Sequence, residues 1–244
     1  MSENTFHFKY FTIHQDKCAM KVGTDAVLLG SWVRTGQEQR ILDIGAGSGI
    51  IALMLAQKSL AEIDAIDIDE GAYLQARENF RISPWFERLE IIQSSLQDYA
   101  TSCKKKYDLI VSNPPYFRQA SKPLEEARTT ARHADALSFS DLIDGVKLLL
   151  TPHGRFCVVL PFKEGMEFMD LAQSRGLFCH RLARIRTVAD KPEKRLLMEF
   201  NRYFGLLTEE EIVIQEDDHR FSRQYIEMTK EYYIGLKSAP PLVP

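Results

Sequence analysis

"ILDIGAGSG", Ile41 to Gly49, decides the fold. A short apolar run of β type ends in a turn with glycine at every second position: Gly45, Gly47 and Gly49. Glycine allows positive φ and lets another molecule approach the backbone closely. The next stretch, "IIALMLAQKS", has the length and character of a helix. Its first N–H groups and its positive dipole end therefore face the glycines.

Downstream the pattern repeats. "EIDAIDID" is a second short apolar run and "EGAYLQARENFRIS" a helix with one polar face. "RLEIIQ" and "YDLIVS" read as a third and a fourth strand. "SFSDLIDGVKLLL" is a helix capped by Ser138 or Ser140, and "GRFCVVLP" a fifth strand. Strands alternating with helices predict parallel βαβ units in a doubly wound, Rossmann-like α/β sheet. Ligands of such sheets bind at the carboxyl ends of the strands. After Pro161, "KEGMEFMDLAQSRG" is a helix, and "FCHRLARIRTV" with "LLMEFNRYF" an antiparallel strand pair at the sheet edge. "YIEMTKEYYIGL" is a terminal helix. This divides the chain into residues 1–40, an apolar N-terminal extension packed on the core, the domain of residues 41–237, and a frayed tail, 238–244.

Bulk composition sets limits. The 244 residues are 45% hydrophobic and 27% charged with net charge -3, ordinary for a globular chain and not the balance of a generally basic protein. Cys18, Cys103, Cys157 and Cys179 form no CxxC, which argues against a zinc ribbon or redox pair, and predicts a reducing compartment. Cys157 and Cys179 lie in apolar runs and read as buried small hydrophobes. The N-terminus lacks the pattern of a signal peptide, and no apolar run reaches the roughly 20 residues of a membrane span. The expected location is the cytoplasm, with no membrane partner.

Asp43, two residues before the first glycine, makes the turn D-x-G-x-G-x-G. This differs from the dinucleotide spacing G-x-G-x-x-G, because Ile50 follows Gly49 directly. It resembles the first motif of S-adenosylmethionine (AdoMet) methyltransferases. In that resemblance the turn wraps the methionine moiety and Asp43 helps to hold it. The alternative is a tight βα turn with no ligand. Asp67, at the end of the second strand, can accept both ribose hydroxyls; Asp69 is its rival, unless it caps the next helix. The family's third position, normally acidic, falls on Ser95 in "IIQSSLQDY". The adenine contact then comes from Ser95 or from backbone near Leu96.

The fourth strand runs into "NPPYF", Asn113 to Phe117. The two prolines cannot donate to a sheet ladder, so the strand stops there. Turn formation alone would account for the residue types. Asn113, Pro114, Pro115 and Tyr116 also match [DNS]-P-P-[YFW], the motif of methyltransferases acting on planar amino nitrogens. The lone pair of such a nitrogen is delocalised into its ring. Two acceptors, the Asn113 side-chain oxygen and the Pro114 carbonyl, can hold the amino hydrogens and return the pair to nitrogen. Tyr116 can stack on the base. Neither a metal nor a covalent intermediate is needed, only positioning.

Taken together, "QDKCAMKVGTDAVLLGSW", "ILDIGAGSGIIALMLAQK", "ENFRISPWFERLEII", "YDLIVSNPPYF" and "ARHADALSFSDLI" closely resemble the bacterial tRNA1(Val) adenine-N6 methyltransferases. The resemblance runs from about Phe8 through Pro161 and more weakly beyond. It implies AdoMet as cofactor, S-adenosylhomocysteine as product, and adenine 37 beside the anticodon as target, with the anticodon stem-loop as partner and no obligate protein partner. It also implies that Lys21, Thr24 and Asp25 close over the cofactor, although Thr24 or Asp25 could instead cap the helix "AVLLGSW". Pro115, Phe117, Arg118, Arg128, Arg132 and His133 become substrate-binding residues.

An RNA substrate needs cations. Arg118, Lys122, Arg128, Arg132 and His133 follow the NPPY motif, against Glu125, Glu126 and Asp135. Arg181, Arg184, Arg186, Lys191, Lys194 and Arg195 form a second cluster, and "CKKKY" at Cys103–Tyr107 reads as merely solvating. The long segment from Phe117 to Asp135 is expected to order over a flipped adenine. Other substrates of NPPY enzymes are, besides adenine N6 in DNA or ribosomal RNA, the side-chain amide of glutamine in release factors and guanine N2 in ribosomal RNA. The former enzymes usually carry an N-terminal helical domain, for which 40 residues leave little room, and the latter often a duplicated domain, of which there is no trace. A catalytically silent AdoMet-fold RNA-binding protein is the reading from another class, and the intact Asn113–Tyr116 quartet argues against it.

Overall fold

The computed structural model describes residues 4–18, 21–114 and 137–236. In chain order its elements are β1 (Thr5–His7), β2 (Thr12–His14), α1 (Thr24–Trp32), β3 (Arg40–Ile44), α2 (Ile50–Lys58), β4 (Glu62–Asp67), α3 (Glu70–Arg81), β5 (Leu89–Gln93), α4 (Leu96–Ser102), β6 (Tyr107–Ser112), α5 (Phe139–Leu149), β7 (Leu150–Pro161), α6 (Phe162–Ser174), β8 (Phe178–Arg186), β9 (Arg195–Asn201), β10 (Thr208–Val213) and α7 (Arg223–Thr229).

Eight strands make one sheet in the order β10-β8-β9-β7-β6-β3-β4-β5. All pairings are parallel except those of β9, which runs antiparallel between β7 and β8. Strand order reverses between β3 and β6. After β3 the chain proceeds outward through β4 and β5, then returns to lay β6 on the other side. At such a switch point the loops diverge and leave a crevice.

Burial on both faces explains the apolar runs. Ile41 packs into one core cluster with α1, α2 and residues of β1, β2 and α7; Leu42 and Ile44 pack into another with α4, α5 and α6. A parallel strand covered on both sides must be largely apolar at successive positions, as β3 is at Ile41, Leu42 and Ile44, with the buried Asp43 the exception. α2 is buried at every position from Ile50 to Ala56. Its outer side is covered by α1, where Gly30 permits the approach, because a Cβ there would meet Met54 Sδ at 2.6 Å.

β1 and β2 pair as a small antiparallel ladder, and Phe8, Phe11 and Ile13 are buried in the same cluster as α2. Ser138, not Ser140, caps α5, accepting a hydrogen bond from Asp141 N at 3.1 Å. Cys157 is fully buried, Cys179 is half-buried, and all four cysteines are free thiols.

Three expectations are corrected. The antiparallel pair β8–β9 forms, but it is not at the edge: β10 adds to β8 in parallel. Its sequence, "TEEEIV", has three glutamates, each paired with an arginine of β8. The terminal helix stops at Thr229, well short of Leu236. Its chain turns away because Lys9 N donates to Tyr232 O at 2.8 Å and Tyr233 bridges to Phe8. "CKKKY" does more than solvate. Lys105 Nζ donates to Asp64 at 2.8 Å, and Tyr107 Oη donates to the same carboxylate at 2.5 Å.

Candidate active site

The glycine turn sits at the carboxyl end of β3. Gly45, Gly47 and Gly49 have φ of 71°, 55° and 81°, all left-handed. A Cβ on Gly45 or Gly47 would point into open space, so what these two require is backbone conformation and an unobstructed face. Gly49 is required twice over: its φ is positive, and a Cβ would lie 2.5 Å from Phe80 Cε1. The turn is pinned to the next strand, since Gly45 N and Ala46 N both donate to Ile66 O, at 2.9 and 3.1 Å.

Gly49 is also the N-cap of α2, and glycine has no side chain to cap with. Asp43 supplies the missing acceptor from inside β3. Its Oδ2 accepts from Ala52 N at 3.1 Å, in the first turn of the helix. Asp43 is fully buried and its Oδ1 has no partner. Burial pushes its pKa up to about 7, opposed by the Ala52 hydrogen bond and reinforced by the negative charge of Asp67. Asp43 therefore acts on the turn from beneath rather than from its open face.

Asp67, half-buried at the end of β4, also supports the turn. Its Oδ2 accepts from Gly47 N at 2.8 Å and its Oδ1 from Asp69 N at 3.0 Å. A carboxylate has about four acceptor positions, so two remain. Burial raises the pKa of Asp67, while these two backbone donors lower it. Asp69 is the helix cap: its side chain accepts from Ala72 N at 2.8 Å. Ser95 caps α4, its Oγ accepting from Asp98 N at 3.1 Å and donating to Asp98 Oδ2 at 2.7 Å. Leu96 begins that helix with its side chain buried.

β6 lies beside β3 in parallel register, with Ser112 opposite Ile44 and Val111 opposite Asp43. Ser112 Oγ donates to Ile44 O at 2.9 Å and ties the two strand ends together. Asn113 and Pro114 follow Ser112 immediately, at the carboxyl end of β6 and so next to the end of β3. Neighbouring strands are about 4.8 Å apart, so the glycine turn and Asn113 share one crevice. Asn113 is half-buried and Pro114 buried. Among the described residues Asn113 has no hydrogen-bond partner for its carboxamide. Pro115, Tyr116, Phe117, Arg118, Arg128, Arg132 and His133, with the rest of the 117–135 segment and its cations, lie outside the described residues.

Lys21 is exposed, and Thr24 and Asp25 open α1. Neither Thr24 nor Asp25 caps it, since the N-cap is Gly23 without a side-chain bond. Asp25 accepts instead from Arg195 Nε at 2.8 Å, which fastens α1 to the start of β9. Arg195 was legible only as a cation.

The arginines of the second basic cluster are paired with carboxylates. Arg181 pairs with Glu210 at 3.0 Å and lies 3.9 Å over the Trp32 ring. Arg184 pairs with Glu209 at 3.0 Å, and Arg186 with Glu193 at 2.7 Å and Glu211 at 3.3 Å. Sequence reading also missed Gln75 and Asn79, two fully buried amides on α3. Their signal was present. Ala72, Gln75, Ala76, Asn79 and Phe80 follow helical spacing, so the amides fall on the buried stripe. Among the described residues no group of three or more His, Cys, Asp or Glu side chains could hold a metal ion, and no helix is long and apolar enough to cross a membrane.

Residues 18–176 match the methyltransferase small domain family. The tRNA1(Val) (adenine(37)-N6)-methyltransferase of Trichodesmium erythraeum (strain IMS101) is 44% identical over 237 residues, covering 96% of this chain and 99% of its own length. The protein of the same name from Parabacteroides distasonis is 45% identical over 237 residues, covering 97% and 100%. The crystal structure of a predicted O-methyltransferase from Agrobacterium tumefaciens shares the fold, with a TM-score of 0.68 over 85% of this chain and 96% of that one at 19% identity. By its glycine turn, its Asn-Pro-Pro strand end and an identity that extends nearly from end to end, the chain belongs to the family of tRNA1(Val) (adenine(37)-N6)-methyltransferases.

Proposed function

We propose that the chain transfers a methyl group from AdoMet to N6 of adenine 37 in tRNA1(Val), beside the anticodon. One observation carries the reading: the glycine turn, Asp67 and Asn113-Pro114 stand at the carboxyl ends of three adjacent parallel strands, β3, β4 and β6. The residues fit the cofactor. Gly45 and Gly47 present a face that a Cβ would obstruct, and Asp67 keeps two acceptor positions for ribose hydroxyls. The Ser95 hydroxyl is engaged with Asp98, which leaves the Leu96 N–H, first in its helix and without an intrahelical acceptor, for the adenine ring. Lys21, Thr24 and Asp25 form the opposite wall.

AdoMet, when bound, would supply an electrophilic methyl on a sulfonium, the N6–methyl bond forming as the sulfur–methyl bond breaks, with S-adenosylhomocysteine left behind and the surplus N6 proton lost to water. The Asn113 side-chain oxygen and the Pro114 carbonyl accept the two amino hydrogens of the adenine. This favours pyramidal nitrogen and draws its lone pair out of the ring. The proline that follows fixes φ and keeps the carbonyl aimed without reorganisation. Tyr116 stacks on the extruded base, with Pro115 and Phe117 beside it. Arg118, Arg128, Arg132 and His133 meet the phosphates of the anticodon stem-loop. In this reading residues 41–237 are the transferase domain, residues 1–40 its extension and 238–244 a tail; the enzyme needs no metal and no obligate protein partner, and works in the cytoplasm.

The test is transfer of labelled methyl from AdoMet into unmodified tRNA. The wild-type chain labels it, and Asn113→Ala lowers kcat by roughly 10²–10³-fold while AdoMet still binds. Undiminished transfer by Asn113→Ala would remove Asn113 from the reaction.

A further inference from the structure

α3 carries two carboxamides where an amphipathic helix normally buries apolar groups, and both are used. Asn79 Nδ2 donates to His14 O at 2.9 Å and to Ser48 O at 2.8 Å, while its Oδ1 accepts from His14 N at 2.9 Å. Gln75 Oε1 accepts from Lys17 N at 2.8 Å. Gly71, one turn closer to the crevice, has no room for a side chain, because a Cβ would lie 2.5 Å from Lys17 O. Residues 14–17 thus run along α3, antiparallel to it, from Asn79 towards Asp69 at its start. Ser48 belongs to the glycine turn, and Phe80, next to Asn79, fills the space left by Gly49.

We propose that Asn79 is a positioning residue for cofactor binding, joining the glycine turn to the N-terminal segment through one buried carboxamide. The inference rests on AdoMet occupying the crevice. Two carbonyls and one N–H surround Asn79, and only a group that both donates twice and accepts satisfies them. Aspartate has the same shape but no donor, and would set a carboxylate against two carbonyl oxygens. Through Ser48 the side chain fixes the open face of the turn. Through His14 it fixes the segment that leads to Lys17 and Cys18. Gln75 holds the same segment at one point only, and its contribution is smaller.

The test separates positioning from mere folding. AdoMet affinity is measured by calorimetry for wild type, Asn79→Ala, Asn79→Asp and Met198→Ala, with thermal midpoints, at a temperature where all are folded. Met198 is fully buried in the other core cluster and serves as the destabilised control. Asn79→Ala and Asn79→Asp are expected to raise Kd and KM for AdoMet at least tenfold, leaving KM for tRNA unchanged and kcat at saturating AdoMet within threefold. Met198→Ala is expected to lower the midpoint yet keep Kd within twofold. Kd within twofold in Asn79→Ala, or an equal loss in Met198→Ala, would overturn the proposal. Hydrogen exchange on the wild-type chain covers the case of variants that do not fold: AdoMet should protect residues 45–50 and 14–18 together, and protection of 45–50 alone contradicts the coupling. A wild-type chain that binds no AdoMet fails before any variant is compared, and takes the functional reading down as well.

Discussion

The glycine turn and the β8–β10 edge treat their polar groups in opposite ways. At the edge, Arg181, Arg184 and Arg186 are each matched to a glutamate of the neighbouring strand. At the turn, Asp43 Oδ1 is buried with no partner and Asp67 uses half its acceptors. A buried polar atom is costly to leave unsatisfied, so Asp43 Oδ1, close to the open acceptors of Asp67, marks a place where stability is set against something else. The edge has the larger charges and the turn the unfinished ones. Charge counted along the sequence does not tell which cations are already paired, and those of β8 are.

Substitutions can break or sharpen that contrast. The largest effect is expected at the turn itself. Gly49→Ala forces an L residue into the left-handed region and drives a methyl into Phe80, at a cost of about 3 kcal/mol. Urea denaturation should show that loss and calorimetry should show no AdoMet binding; a wild-type midpoint would mean that the turn tolerates a side chain.

A smaller effect is expected from titration of Asp43. Its carboxyl rises from 3.8 to about 7 in the folded chain, so the folded state holds the proton more tightly than the unfolded one. The stability this contributes is full below about pH 4 and is lost as pH rises to about 7. The thermal midpoint of the ligand-free chain should therefore fall between pH 5 and 8, by several degrees or roughly 2 kcal/mol. Asp43→Asn should flatten most of that slope, leaving the part due to Asp67, which is shifted in the same direction. An unchanged slope would mean that Asp43 is not the group that titrates.

The smallest effect is expected at the edge. Arg184 and Glu209 are both partly exposed, and such pairs contribute less than about 1 kcal/mol. Arg184→Ala should leave tRNA affinity within twofold and its salt dependence unchanged. A salt slope reduced by about one would show that the pair opens to hold a phosphate, and would erase the contrast with the turn.

The parts of the fold legible in the sequence are those buried on both faces. β3, β4 and β6 read as apolar runs because each is covered on either side by helices, and the strand-turn-helix at Ile41–Lys58 needed no tertiary knowledge. β10 was illegible because three consecutive glutamates deny a strand until the arginines of β8 are placed beside them. The end of α7 depends on Tyr232 and Tyr233 meeting residues of the opposite terminus, more than 200 positions away. Within the site, the three glycines, Asp43, Asp67 and Asn113 could be picked out because each is an unusual residue at a strand end. Ser95 could be located, but its engagement with Asp98 could not be known. Gln75 and Asn79 were hidden by their helix: only burial turns an amide on an amphipathic stripe into a tie between two distant segments.

The account's central claim is that the crevice between β3 and β6 methylates one adenine nitrogen. Unmodified tRNA incubated with AdoMet and the wild-type chain, then digested and mapped by nucleoside mass spectrometry, tests it most directly. N6-methyladenosine at position 37 of tRNA1(Val), absent when Asn113→Ala replaces the wild type, is the predicted result. Binding of AdoMet with no methylated nucleoside in any tRNA, or methylation at position 37 that survives Asn113→Ala, would contradict it.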